Sequence, residues 1–302
     1  MELSRPWRIA RDLLAVFVTG IFMFPIFWWA LTSIKPMSAI FDKDRIIWFD
    51  FVPTAVNYAV TILGLSRSQI AIDEGFGMGI SGDGGYDSRR TILDSVIVSI
   101  GSTALTMIVA VFAAYALSRM AFKGRTAFLN WVLGQRFMPP VAIIIPLVIS
   151  FKFVGMRDTD NIYMGYLGLS LIYALMNLPV AVLLMKSFFD DVPKDVDEAA
   201  MIDGATRWQT FRRIVLPMVR GGVAASAVLC FIFAWTEFLL SLFLTTEIRT
   251  VPVKIQTFVT STGSEWGFIS ALGTAAILPS FIFILLVQRH LVRGLTLGSL
   301  KE

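Results

Sequence analysis

Charged residues are scarce in this chain, at 16% of 302 residues. Soluble domains usually carry about 25%, and the deficit places the chain in the membrane class. Cysteine and histidine are nearly absent. A single Cys230 excludes an internal disulfide framework and any cysteine-based metal site, and a single His290 cannot build a histidine cluster. There is no G-x-x-x-x-G-K-[ST] run, so the usual phosphate-cradling loop is missing. No nucleophile, base and orienting residue fall into a recognisable set, which argues against an intramembrane enzyme. The net charge is +4, and no basic tract with interleaved aromatics offers itself to nucleic acid.

What the chain has in abundance is apolar residues, 56% of the total, gathered into long blocks. A helix needs about 20 mainly apolar residues to cross a hydrocarbon core of about 30 Å. Leu13–Ile34, Ser95–Ser118, Tyr163–Met185 and Trp266–Gln288 meet that requirement without a charge. Thr126–Phe151 meets it around Arg136, and Gly221–Thr246 meets it around Glu237. These six stretches predict an all-α integral membrane protein with a single transmembrane domain over residues 1–302. Runs this long exclude a β-barrel, whose strands alternate in segments of about 10 residues. The first block exceeds the apolar core of a signal peptide and lacks a cleavage pattern, so it reads as an anchor that stays in place.

Lysine and arginine in short loops set orientation. Arg5, Arg8 and Arg11 precede the first block, Arg119, Lys123 and Arg125 fill the second connection, and Arg289, Arg293 and Lys301 follow the last block. Both termini are therefore expected in the cytoplasm, with loop 35–90 outside. Within that loop, Asp73-Glu74-Gly75 and Gly82-Asp83-Gly84-Gly85-Tyr86-Asp87 do not fit calcium-loop spacing, and a flexible polar segment is expected.

The connection 190–217, on the cytoplasmic side, is built unlike an ordinary loop. Asp190-Asp191-Val192-Pro193 offers an acidic N-cap and an early proline ahead of a helix Lys194–Ile202. Gly204 then suits a left-handed position. Thr206 can cap a second helix, Arg207–Val215, which Pro217 is expected to close. Trp208, Phe211, Ile214 and Val215 give that helix an apolar face. Such an element is suited to pressing against another protein.

Glu198-Ala199-Ala200, three residues, Gly204, nine residues and Ile214-Val215-Leu216-Pro217 resemble the E-A-A-x3-G-x9-I-x-L-P signature of bacterial ABC importer permeases. The ending Gln288-Arg289-His290-Leu291-Val292-Arg293-Gly294-Leu295-Thr296-Leu297-Gly298-Ser299-Leu300-Lys301 resembles that of the maltose-type second permease, as do Ala113–Arg119 and Phe231–Trp235. The chain departs from that carbohydrate branch at Asp94, often Asn, at Thr236, often Asn, and by an insertion at 65–90.

The resemblance implies the type I importer permease fold and an inner-membrane location. It also implies a homologous second permease, two ATPase subunits, an extracytoplasmic solute-binding protein and a lipid environment. ATP and magnesium would be bound by the partners, with no cofactor in this chain. The implied cargo is a sugar, oligosaccharide or polyol, and the implied ATPase-coupling residues are Glu198, Ala199, Ala200, Asp203, Gly204, Ile214, Leu216 and Pro217. A stand-alone secondary transporter or channel is the competing class, against which the chain shows no duplicated halves.

Charges within spans are costly unless they face a cavity or a partner. Arg136 and Glu237 therefore either pair with each other or line the substrate path. Gln135, Asn177, Thr236 and Ser241 offer neutral donors and acceptors to a hydroxyl-rich solute, or serve as interhelical contacts. Trp235 and Trp131 could stack on a sugar face or simply pack. Six prolines within the blocks, at 25, 139, 140, 146, 179 and 279, imply kinks.

Overall fold

The computed structural model describes residues 5–42, 48–65, 87–260 and 263–295, without the side chains of 5–6 and 289–295. Residues 66–86 of the insertion at 65–90 and the ending from Thr296 onward lie outside the described residues, and so do the expectations that fall on them. In chain order the helices are α1 (Arg5–Ser33), α2 (Met37–Ile40), α3 (Val56–Thr61), α4 (Arg89–Arg119), α5 (Arg125–Gly134), α6 (Pro140–Val154), α7 (Ile162–Asp190), α8 (Lys194–Ile202), α9 (Arg207–Thr210), α10 (Leu216–Met218), α11 (Arg220–Trp235), α12 (Leu239–Leu244), α13 (Val251–Thr257) and α14 (Trp266–Leu295). A two-residue antiparallel pair, Val259–Thr260 with Gly263–Ser264, is the only sheet among the described residues.

Four helices are each long and apolar enough to cross a membrane, in the stretches Trp7–Ser33, Arg89–Arg119, Ile162–Asp190 and Trp266–Gln288. Two further crossings depend on bent pairs. Arg125–Phe137 and Pro140–Val154 meet at 94°, and Arg207–Met218 and Arg220–Trp235 meet at 72°. The stretch Thr126–Phe151 is thus not one continuous helix, and Gly221–Thr246 is interrupted between Trp235 and Leu239, contrary to the sequence expectation.

The first break follows from the chemistry of two adjacent prolines. Residues before a proline are pushed out of the helical region, and both Met138 (ψ 118) and Pro139 (ψ 125) are extended. Pro140 then starts α6, where its missing N–H costs nothing. The break inside Gly221–Thr246, between Trp235 and Leu239, has no proline. Here α11 ends at Thr236, and the Glu237 carboxylate accepts from the N–H of Leu240 (2.9 Å) and Ser241 (3.4 Å), starting α12 anew. Pro25, Pro146, Pro179 and Pro279 lie inside helices that run on past them.

The chain divides into two compact units. In the first, Met1–Arg90 with Lys254–Ile277, the apolar window of α1 is nowhere buried by the chain itself. The Asn57 amide ties α3 to the end of α1 by donating to the carbonyls of Ser33 (2.9 Å) and Lys35 (3.0 Å). The Lys35 ammonium sits 4.2 Å from the Trp28 ring centroid, and desolvation holds its pKa below the usual lysine value. Gly267 is required where α14 approaches α3, because a Cβ there would meet the Asn57 side chain at 2.5 Å.

The second unit, Thr91–Val253 with Leu278–Glu302, holds two apolar cores. One gathers Met107, Ala110, Ala114 and Leu117 of α4, Met185 and Phe189 of α7, and Phe211, Val215 and Cys230. The other gathers Val98, Phe151, Leu169, Tyr173, Ala234, Leu240 and Ile248. The segment after α12 is pinned by acceptors from neighbouring elements. Asp158 Oδ2 accepts from the N–H of Thr246 (2.8 Å), Glu247 (2.6 Å) and Ile248 (2.7 Å), and Ser95 Oγ accepts from that of Val251 (2.7 Å). Asp94 accepts from the Tyr166 hydroxyl at 2.5 Å and from the Arg249 N–H at 3.3 Å.

Asp158→Ala leaves three backbone donors without that carboxylate, at about 1–3 kcal/mol for each buried unsatisfied group. Thermal unfolding of the detergent-purified protein should show a loss of about 3 kcal/mol, with Asp158→Asn intermediate. A loss below about 0.5 kcal/mol in the alanine variant would mean that the segment is held by other contacts.

Candidate functional site

The segment between α7 and α11 forms a helix, a turn and a second helix. Helix α8 starts at Pro193 with no side-chain cap. Asp190, expected to help cap it, instead accepts from Ser118 Oγ at 2.6 Å and pairs with Lys186. It therefore closes the end of α7 against α4. Gly204 adopts φ +87 and stands in open space, so the turn requires glycine for its backbone alone. Thr206 caps α9 in a reciprocal box with Gln209.

The second helix does not run to Val215 as one α-helix. It is α9, then a π-helical turn Phe211–Val215, then α10. Pro217, expected to close the helix, lies inside α10, and the chain turns at Val219. Proline offers no N–H to the carbonyl four residues back, and its ring crowds that carbonyl. The wider π turn accommodates it, with the Leu216 N–H bonded back to the Phe211 carbonyl.

One face of this element is buried and the other is presented outward. Ala200, Phe211 and Val215 are buried, with Phe211 4.7 Å from Tyr115 and 6.5 Å from Phe189 between ring centroids. Glu198, Ala199, Asp203, Gly204 and Pro217 are exposed, and Ile214 and Leu216 are half-buried. Beside the exposed charges, Ile202 is 85% exposed and Met201 42%. An apolar tip ringed by charge, on a rigid helix and turn, has the character of a docking surface.

What fastens α8 is a contact the motif does not contain. Arg119, the last residue of α4, forms an ion pair with Asp197 at 3.0 Å, and the two side chains are only 7% and 11% exposed. Arg119 also donates to the Val192 carbonyl at 2.8 Å, and the Tyr115 hydroxyl donates to Asp197 at 3.2 Å. Asp197 immediately precedes Glu198, so the pair fixes which face of α8 turns outward. Sequence reasoning used Arg119 only as a marker of orientation and passed over Asp197. Its place on the inner face of α8, opposite an arginine, is the signal that could have found it.

Of the residues proposed for a substrate path, Glu237 and Ser241 are joined by a hydrogen bond, and the others have separate described partners or are exposed. Arg136 and Glu237 form no ion pair among the described residues; Glu237 caps α12, and the Arg136 guanidinium lies 5.1 Å from the centre of the Phe233 ring. Gln135 and Thr236 are exposed, and Thr236 Oγ1 donates to the Ile232 carbonyl. Asn177 is buried, donating to the Cys230 carbonyl at 3.4 Å between α7 and α11. Ser241 is buried within α12, and Trp235 stacks on Phe231 at 5.5 Å. Trp131 is exposed beside Phe128, at 5.9 Å.

Several helices apolar and long enough to span a membrane, with a charged helix and turn between two of them, are the features of a multi-pass membrane protein. The chain belongs to the family of binding-protein-dependent transport system inner membrane components, whose model matches residues 107–297. It is 34% identical over 281 residues to the sulfoquinovosyl glycerol transport system permease protein SmoH of Agrobacterium fabrum, covering 92% of this chain and 89% of that one. It is 29% identical to the trehalose transport system permease protein SugB of Mycobacterium tuberculosis, covering 94% of each. A crystal structure of a bacterial ABC transporter involved in the import of the acidic polysaccharide alginate shares the fold, with TM-score 0.64 and 19% identity over 96% of this chain and 99% of that one.

Arg119→Met or Asp197→Asn alone should destabilise the protein by about 3–5 kcal/mol, the usual cost of orphaning a buried charge. The double variant Arg119→Met, Asp197→Asn should recover a substantial part. Thermal unfolding across the four proteins reads the coupling, and additive losses would show that the pair does not anchor α8.

Proposed function

We propose that this chain is a permease subunit forming half of the translocation pathway of an ATP-driven carbohydrate importer. A sugar, oligosaccharide or polyol reaches it from an extracytoplasmic binding protein. The observation that carries this reading is the outward-facing segment Glu198–Gly204, built as a fastened helix and glycine turn within the region that matches the family. Relatives named for sulfoquinovosyl glycerol and trehalose support a glycoside cargo.

On this reading α8 and its turn are the coupling element. Glu198 and Asp203 supply charge to an ATPase subunit, Ala199 lets its surface approach closely, and Gly204 shapes the tip. Ala200, Ile214, Leu216 and Pro217 set the element against the spans. ATP and magnesium belong to the two ATPase partners. A homologous second permease supplies the other half of the path, with Gln135, Arg136, Asn177, Trp235, Thr236, Glu237 and Ser241 as the polar and aromatic candidates on this side. Both termini lie in the cytoplasm, which puts the positive connections on the side that favours them.

Glu198→Lys reverses charge at the docking face, and Gly204→Val forces a β-branched residue into φ +87. Each should reduce ATP-dependent uptake at least tenfold while the protein still inserts in the membrane. Normal uptake with normal ATPase co-purification in both variants would refute the coupling role.

Orientation can be read by single-cysteine labelling. Val52 is 83% exposed in the first loop, and Val52→Cys in a Cys230→Ala background should react with a membrane-impermeant thiol reagent from outside intact cells. Labelling only after the cytoplasmic face is opened would mean that the topology is inverted.

A further inference from the structure

Arg136 is a charge to which the described residues supply no ionic partner. It lies in the 3-10 turn Gln135–Phe137, at the 94° break between α5 and α6, and its side chain is exposed. Among the described residues no carboxylate pairs with it, and its described contact is the Phe233 ring at 5.1 Å. The nearest acid along α11, Glu237, is already occupied by the N–H groups of α12. A ring beside a guanidinium offsets part of its charge but accepts none of its N–H donors in the plane of the fork.

Depth separates the possible acceptors. Phe233 lies thirteen residues along α11 from Arg220, about 20 Å at a rise of about 1.5 Å per residue. A guanidinium held at that level lies well within a core of about 30 Å, out of reach of headgroups at the cytoplasmic face. A charge there is tolerated only toward a watered cavity or an opposite charge. Neutral sugar hydroxyls can accept its hydrogen bonds but leave the charge uncompensated. A sulfonate or carboxylate does both, and takes the fork through two parallel charge-assisted bonds.

We propose that Arg136, steadied by Phe233, binds an oxyanion on the transported solute, so that the cargo is an acidic glycoside or sugar acid rather than a neutral one. This deepens the importer reading and rests on it.

The test uses the complete complex, with its second permease, ATPases and binding protein, in proteoliposomes loaded with ATP. It is offered two matched pairs, sulfoquinovosyl glycerol against glucosylglycerol and galacturonate against galactose. In the wild type, uptake should favour the acidic member of at least one pair by tenfold or more. Arg136→Gln should raise the KM for that acid at least tenfold and erase the preference, while Arg136→Lys keeps part of it and Phe233→Leu gives an intermediate loss. Preference for neutral members, no preference in either pair, or an acidic preference that survives Arg136→Gln overturns the proposal. It is equally overturned if Arg136→Gln detaches the second permease on purification, since the arginine then answers a carboxylate of that subunit. Failure of the importer reading looks different, with no ATPase co-purifying and no ATP-dependent uptake of any of the four solutes by the wild type.

Discussion

Hydrocarbon accepts no unpaired backbone N–H or carbonyl, and the architecture of this chain follows from that constraint. A continuous helix satisfies it automatically, which is why four of the apolar stretches are simple rods. Wherever a rod is broken, the freed groups need a local answer. At the first break the answer is proline, which removes the donors instead of pairing them. Between α11 and α12 it is Glu237, whose carboxylate takes two of the donors at the start of α12. A residue that looks in sequence like a charge stranded in lipid is thus committed to the backbone, and among the described residues Arg136 has no counter-ion.

The same logic governs the polar segment after α12. It leaves the helical ladder between Thr245 and Val251, and its donors are taken by Asp158, Asp94 and Ser95. These acceptors come from α4 and from the connection ahead of α7. An irregular stretch is thereby made part of the rigid framework, and three polar residues that do nothing visible in sequence become structural.

At the other end of α4 the constraint relaxes, because the helix emerges toward water. There a buried ion pair, Arg119 with Asp197, carries orientation from a spanning helix into a short external one. A nine-residue helix has little stability of its own. The pair, the Phe211 contacts and the turn at Gly204 give it a fixed direction. That fixed direction is what the coupling role proposed for this helix would require.

Much of this was legible in the residues themselves. Long uncharged runs picked out the four helices that are long and apolar enough to cross a membrane, since only length and apolarity enter that condition. Gly204 and Thr206 announced a turn and a cap, because left-handed backbone and orphan N–H groups admit few residue types. Local chemistry was insufficient where two answers were equally possible. Asp190 could cap α8 or close α7, Pro217 could end a helix or be absorbed by a π turn, and Glu237 could meet Arg136 or a backbone. Each choice depends on what lies within about 3 Å in space, and in the case of Asp190 and Ser118 the two partners are 72 positions apart in sequence. The sequence by itself determined which stretches are apolar and long enough to span and where the helix and glycine turn fall, because both conditions are local. The tertiary structure decided which charges hold the chain together, because that depends on neighbours the fold brings into contact.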